Sequence, residues 1–289
     1  MPEHLITHDR LPTFDDGRML LAFEGWMDGG DVSTGTVQLL IQAMNAKHIA
    51  SIDPDHFFIH NFPGSMEVSA LFRPHVRIED GVIRAFDRPR CDCYAVADEQ
   101  LLLFTGREPN IHWNDFAAAL FELAERTGVR DISFVGSVAG AVPQTREPRL
   151  FASVSEVSLK DDMQRFGLKF TNYEGPGSFI TSMMTESPRH GVRMASLVAE
   201  IPAYVDGANP KSIAAVARRM ASILGMDVNL DDLRESIDEW EKKLTEAIAE
   251  RDDLREHIQK LEQAYDDDLF DNDMGDLKDF LEEKGVRFD

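Results

Sequence analysis

With 289 residues and 43% hydrophobic side chains, the chain has material for one large core or two small ones, in a globular composition. Its formal net charge of −22 argues against sequence-independent binding to nucleic acid or to an anionic membrane, since both need a positive surface. No apolar run reaches the ~18 residues that a spanning helix needs, so no membrane contact is expected and the cytoplasm is the expected location. The acidity is concentrated. Residues 227–289 hold 23 Asp/Glu against 9 Lys/Arg, a net of −14.

After a polar leader (1–17), RMLLAFEGW (18–26) reads as an apolar strand ending in a turn, and 31–47 as a helix capped by Asp31 or Ser33. HIASID (48–53) is the next strand, stopped by Pro54. Asp80-Gly81 inside VRIEDGVIRAF (76–86) signals a hairpin, which would make the sheet mixed. Residues 91–106 supply one or two strands with a break near Asp98. Cys91 and Cys93, two positions apart, fall on one face of a strand as reduced core thiols.

Phe116, Leu120 and Leu123 set a helix over 113–126, ended by Gly128. A strand at 129–140, short helices near 155–165 and 177–187, a strand at 192–202 and a helix at 211–225 follow. This alternation predicts an α/β core over 1–225: a central mixed, mostly parallel sheet flanked by helices. From 230 to 265 apolar residues step by threes and fours, including Leu233, Ile237, Trp240 and Leu244. That stripe predicts a long amphipathic extension (226–265), spanning roughly 50 Å if continuous. It would lie on its own core as a helix or helical hairpin, or serve as an oligomer or partner contact. Residues 266–289 form an acidic tail, partly disordered or carrying a short docking helix around 276–284.

In open α/β sheets ligands gather at the carboxyl ends of strands. The polar residues expected there are Glu24, Trp26 and Asp28; Arg107, Glu108 and Asn110; Arg146; and Glu200, with Glu174 and Ser178 ahead of a helix start. They form a candidate ligand site, or else they cap helices and pair with one another. No phosphate loop, dinucleotide fingerprint or nucleophile elbow occurs. His56 and His60 lie in a strand-like run. No cofactor and no metal ligand set is assigned.

Five segments, AFEGWMDGGD (22–31), GREPNIHW (106–113), GAVPQTREP (140–148), YEGPGSFIT (173–181) and IPAYVDGANPKS (201–212), together resemble the proteasome assembly chaperone 2 family. The acidic helix with Trp240 is similar to the extension of its bacterial members, and the actinobacterial type is the nearest. The resemblance implies a core related to the nucleoside phosphorylase-like fold and a homo-oligomer, as a trimer or dimer. Eukaryotic and archaeal members are similar to chaperones that guide proteasome ring assembly. Several dock through a C-terminal hydrophobic–Tyr–any ending, whereas here the last residues are Arg287, Phe288 and Asp289.

Two functional expectations follow. The first is a non-enzymatic, oligomeric protein-interaction or assembly factor with a protein partner. The second is an enzyme or binding protein for a nucleoside- or phosphate-containing ligand, with Glu24, Asp28, Arg107, Glu108 and Arg146 lining one concavity.

Overall fold

A computed structural model describes residues 4–230 and 233–283 of the chain, with side chains placed through Phe270. The first half runs β1 (Leu5–Thr7), β2 (Gly17–Glu24), α1 (Val32–Ala43), β3 (Lys47–Ile52), α2 (Met66–Ala70), β4 (His75–Glu79), β5 (Val82–Asp87), β6 (Cys91–Val96) and β7 (Leu101–Arg107). The second supplies α3 (Trp113–Thr127), β8 (Val129–Gly140), β9 (Arg149–Val154), α4 (Ser158–Arg165), β10 (Lys169–Phe170) and α5 (Phe179–Glu186). It ends with β11 (Arg193–Pro202), α6 (Pro210–Ile223), α7 (Arg234–Ala249) and α8 (Asp252–Glu283).

One sheet holds nine strands in the order β1-β3-β6-β7-β2-β8-β11-β9-β10. Its centre, β7-β2-β8-β11, is parallel, and β6 and β9 flank it antiparallel. The centre is buried on both faces, which is why β2 reads as an unbroken apolar run. Met19, Leu21 and Phe23 join Phe116 of α3 and Phe179 of α5 in one core. Leu20 and Ala22 point the other way, onto Val37 and Leu40 of α1 and Val216 and Met220 of α6. Phe23 is the hub of the first core, with the rings of Phe104 and Phe179 both 5.5 Å away. Each such fully buried side chain contributes roughly 1.5–3 kcal/mol.

Cys91 and Cys93 enter the same core from one face of β6. Burial pushes the Cys91 thiol up to about 12 and raises that of Cys93 as well. Neither is a reactive thiolate at neutral pH. Helix α3 stops at Gly128, whose φ of 76° is left-handed. A Cβ there would stand 2.3 Å from the Phe14 carbonyl oxygen, so glycine is required sterically as well as conformationally.

One expectation needs correction. The 76–86 hairpin does not enter the main sheet; β4 and β5 form a separate two-stranded sheet. Only Ala85 among their residues escapes full exposure, so the hairpin has no buried face with which to join the core. The main sheet is mixed because of β1, β3, β6 and β9 instead. Of the helix and the helical hairpin expected for the extension, the structure has two helices, broken at Glu250–Arg251, where Arg251 N–H turns back to the Ile248 carbonyl. Ile248, Ile258 and Tyr265 are buried, while Leu233, Ile237, Trp240 and Leu244 are half-buried.

Helix α8 passes Tyr265 without a break and takes in most of the expected tail. Residues 284–289, with the Arg287-Phe288-Asp289 ending, lie outside the described residues. Among the described residues no helix is long and apolar enough to cross a membrane.

Candidate functional site

The strand directions bring distant loops to one rim. β2, β7, β8 and β11 end there, and the antiparallel β6 and β9 begin there, with Cys91 opposite Gly106 and Arg149 opposite Glu200. On the β6-β7-β2 side the rim opens into a groove of about 1080 Å³. Glu24, Asp28 and Arg107 line it, together with Arg73, Arg88 and Arg90, which the sequence reading did not single out. Their spacing in RPH and DRPR was the available signal, but only the fold places them there.

Asp28 is a half-buried carboxyl of the groove. Burial raises its pKa, and donation from Thr34 N–H (3.0 Å) and Thr34 Oγ1 (2.7 Å) opposes that rise. The same bonds make it a cap for the first turn of α1. Ser137 fastens the loop to β8, its N–H on the Met27 carbonyl (2.9 Å) and its Oγ on the Gly29 carbonyl (2.8 Å).

Several other candidates, Glu108 of the expected concavity among them, lie outside the groove lining and hold backbone rather than ligand. Glu108 Oε2 accepts from Trp26 N–H at 3.2 Å and its Oε1 from Phe179 N–H at 3.0 Å, tying the β2–α1 loop to the N-terminus of α5. A carboxylate at that helix end is also favoured by the helix dipole. Asn110 Oδ1 accepts from Ile59 N–H at 3.2 Å. Ser178 is the N-cap of α5, exchanging bonds with Thr181. Trp26 and Glu174 are exposed in their loops, and the Glu200 side chain lies over Gly140.

Arg146 corrects the expectation of one shared concavity. It is absent from the groove lining and is held by α8, with Nε on Asp266 Oδ1 at 2.8 Å and Nη2 on Oδ2 at 2.7 Å. Thr145 Oγ1 donates to Glu262 at 2.5 Å, and Arg149 pairs with Asp268 at 2.9 Å. Tyr265 is buried beneath these contacts, its hydroxyl donating to the Glu147 carbonyl at 3.0 Å with the Arg149 guanidinium 4.4 Å from the ring centroid. The loop after β8 and the start of β9 attract an acidic helix because they carry Arg146 and Arg149, and that helix occupies them.

Beyond the groove stands a lobe made of α2 and the β4–β5 hairpin. Nine large apolar side chains between Phe62 and Phe86 are exposed there, Met66 at 86% and Leu71 at 72% being the extremes. Arg107 Nη2 donating to the Leu71 carbonyl (3.4 Å) and the Arg88–Asp55 pair (3.1 Å) attach the lobe to the core.

The PAC2 family model matches residues 22–248. This chain belongs to the PAC2 family. Among solved structures it is similar to Rv2714 of Mycobacterium tuberculosis, a protein of unknown function, with 22% identity, a TM-score of 0.81, and 96% of this chain and 93% of that one covered. Rv2125, a proteasome-assembly chaperone homologue from the same organism, has 29% identity and a TM-score of 0.69 over 83% of this chain and 99% of its own. A PAC2 family protein of Streptomyces avermitilis has 26% identity and a TM-score of 0.68, with 84% and 99% covered. No curated protein matches the sequence. All five segments of the family resemblance fall inside the matched range. In this member GREPNIHW supplies the Glu108 tie, YEGPGSFIT the Ser178 cap, and GAVPQTREP the seat of α8.

Replacing Glu108 by alanine should lower the unfolding free energy by about 1–2 kcal/mol in a urea titration, because two backbone donors lose their acceptor. Glu108→Gln, which keeps one acceptor oxygen, should fall between the two. An unchanged midpoint for the alanine variant would contradict the tie.

Proposed function

We propose that this PAC2-family chain is a non-enzymatic, homo-oligomeric protein-interaction or assembly factor. The observation that carries the reading is the exposed apolar lobe at 62–86, since monomeric proteins rarely leave contiguous apolar surface of that extent in water. Membership of the family supports it, as does the similarity to a proteasome-assembly chaperone homologue. The part-exposed stripe of Leu233, Ile237, Trp240 and Leu244 on α7 supplies a further candidate contact.

Mixed with proteasome subunits from its own organism, the full chain should give a complex resolvable by native mass spectrometry. Trp240→Ala combined with Leu244→Ala should weaken that complex while leaving the melting temperature within a few degrees. Absence of any complex with the unaltered chain would contradict the assembly reading.

The groove supports a second reading, a binding protein or enzyme for a nucleoside- or phosphate-containing ligand at the carboxyl edge. Four arginines, Arg73, Arg88, Arg90 and Arg107, border a volume sufficient for a nucleotide. Under this reading ADP or inorganic phosphate at millimolar concentration raises the melting temperature, and Arg107→Ala abolishes the rise. A full response in Arg107→Ala would remove the groove from consideration.

A further inference from the structure

Helix α8 does not lie flush on the core it covers. Between it, α6, the start of β9 and the turn before β10 stands a cavity of about 450 Å³. It shares no lining residue with the arginine-bordered groove. The sequence accounts for the space. Ala215 and Ser222, seven residues apart, lie on one face of α6, and their small side chains leave the gap beside α8 unfilled.

Two kinds of surface meet in this cavity. Leu150, Phe151 and Leu168 give it an apolar wall, to which α8 adds Tyr265 and Leu269. Four cationic side chains line it against two carboxylates, Glu147 and Asp268, in a chain whose net charge is −22. Two of the four are engaged. Arg149 pairs with Asp268 at 2.9 Å and stands over the Tyr265 ring, and Arg219 donates to the Phe166 carbonyl. The other two, Lys169 and Arg218, are exposed and have no hydrogen-bond or ion-pair partner among the described residues.

We propose that the cavity binds a small amphipathic anion, an acyl or aryl body ending in a carboxylate or phosphate. The body lies along the apolar wall beneath α8, and the head meets Arg218 and Lys169 at the solvent edge. Arginine takes either head through the same paired N–H donors, so the two share one recognition chemistry. The volume falls within the range of small-molecule sites, about 300–1,000 Å³. An inorganic anion gains nothing from the apolar wall, and a neutral chain leaves both cations unpaired. Only a molecule with both parts uses the whole cavity. Because α6 and α8 both line the space, an occupant bridges them and adds to the seating of the extension.

Isothermal titration calorimetry of the full chain with sodium octanoate tests the proposal, with octyl phosphate, acetate and octanol as comparison ligands. Octanoate or octyl phosphate should bind at one site per chain, and acetate and octanol roughly tenfold more weakly or worse, each lacking one half of the contact. Arg218→Glu should weaken binding roughly tenfold or more, because it sets a like charge beside the head. Ser222→Trp should block binding by filling the cavity from an exposed position, with a melting temperature close to that of the unaltered chain. In hydrogen exchange, octanoate should slow the amides of 265–270 in the unaltered chain and leave those of Ser222→Trp unchanged. No binding of octanoate or octyl phosphate to the unaltered chain would overturn the proposal. Binding that both variants retain in full, with exchange at 265–270 unaffected, would overturn it as well and move the site to apolar surface elsewhere.

Discussion

The contact on which the arrangement of this molecule turns is the two-pronged bond between Arg146 and Asp266, with Tyr265 wedged beside it against the Glu147 carbonyl. It joins residues 120 apart in the chain and seats the acidic helix on the rim where β8 ends and β9 begins. Hydrogen bonding to Arg146 holds the Asp266 carboxyl below its ordinary range. The contribution of this pair is therefore present at neutral pH and is lost as pH falls through that depressed value. Both partners are partly solvated, so salt weakens the pair, while the buried tyrosine is insensitive to salt.

With the extension seated, the rim is divided. Its β8–β11–β9 side is covered by α8, and its β6–β7–β2 side remains open as the arginine-bordered groove. The lobe that walls this groove also carries the nine exposed apolar side chains between Phe62 and Phe86. Groove wall and apolar surface thus belong to one structural unit, so a protein bound to the lobe would bear on access to the groove. Protein interaction and ligand binding are for that reason coupled readings of a single region.

Much of the core was legible because its signal is local. RMLLAFE, LLLFTG and VRMASLVAEIP are apolar throughout, as strands buried on both faces must be, and Gly128 marked the end of α3 by its left-handed backbone. β9 was missed because RLFASV is only half-buried and follows no turn signal stronger than Pro148. The Asp80-Gly81 hairpin was visible from its turn, both residues having positive φ, but its detachment from the main sheet was not. Apolar residues on a free face look like apolar residues in a core. At the rim, Glu24, Asp28 and Arg107 could be grouped because parallel strands end together. Arg146 could not be assigned to α8, since no local pattern reports a contact at that sequence distance. Glu108, Asn110 and Ser178 were recognisable as polar residues near turns, but only their bonds to Trp26, Phe179, Ile59 and Thr181 show that they hold backbone.

Hydrogen exchange measured by mass spectrometry tests the seating of the extension most directly. In the unaltered protein, amides of α8 between Leu254 and Phe270 should exchange far more slowly than those of an unstructured chain. In a variant with Arg146 and Arg149 both changed to alanine they should lose that protection, while peptides from β2 and β8 keep theirs. Fast exchange of this segment in the unaltered protein, or protection indifferent to both arginines, would contradict the account.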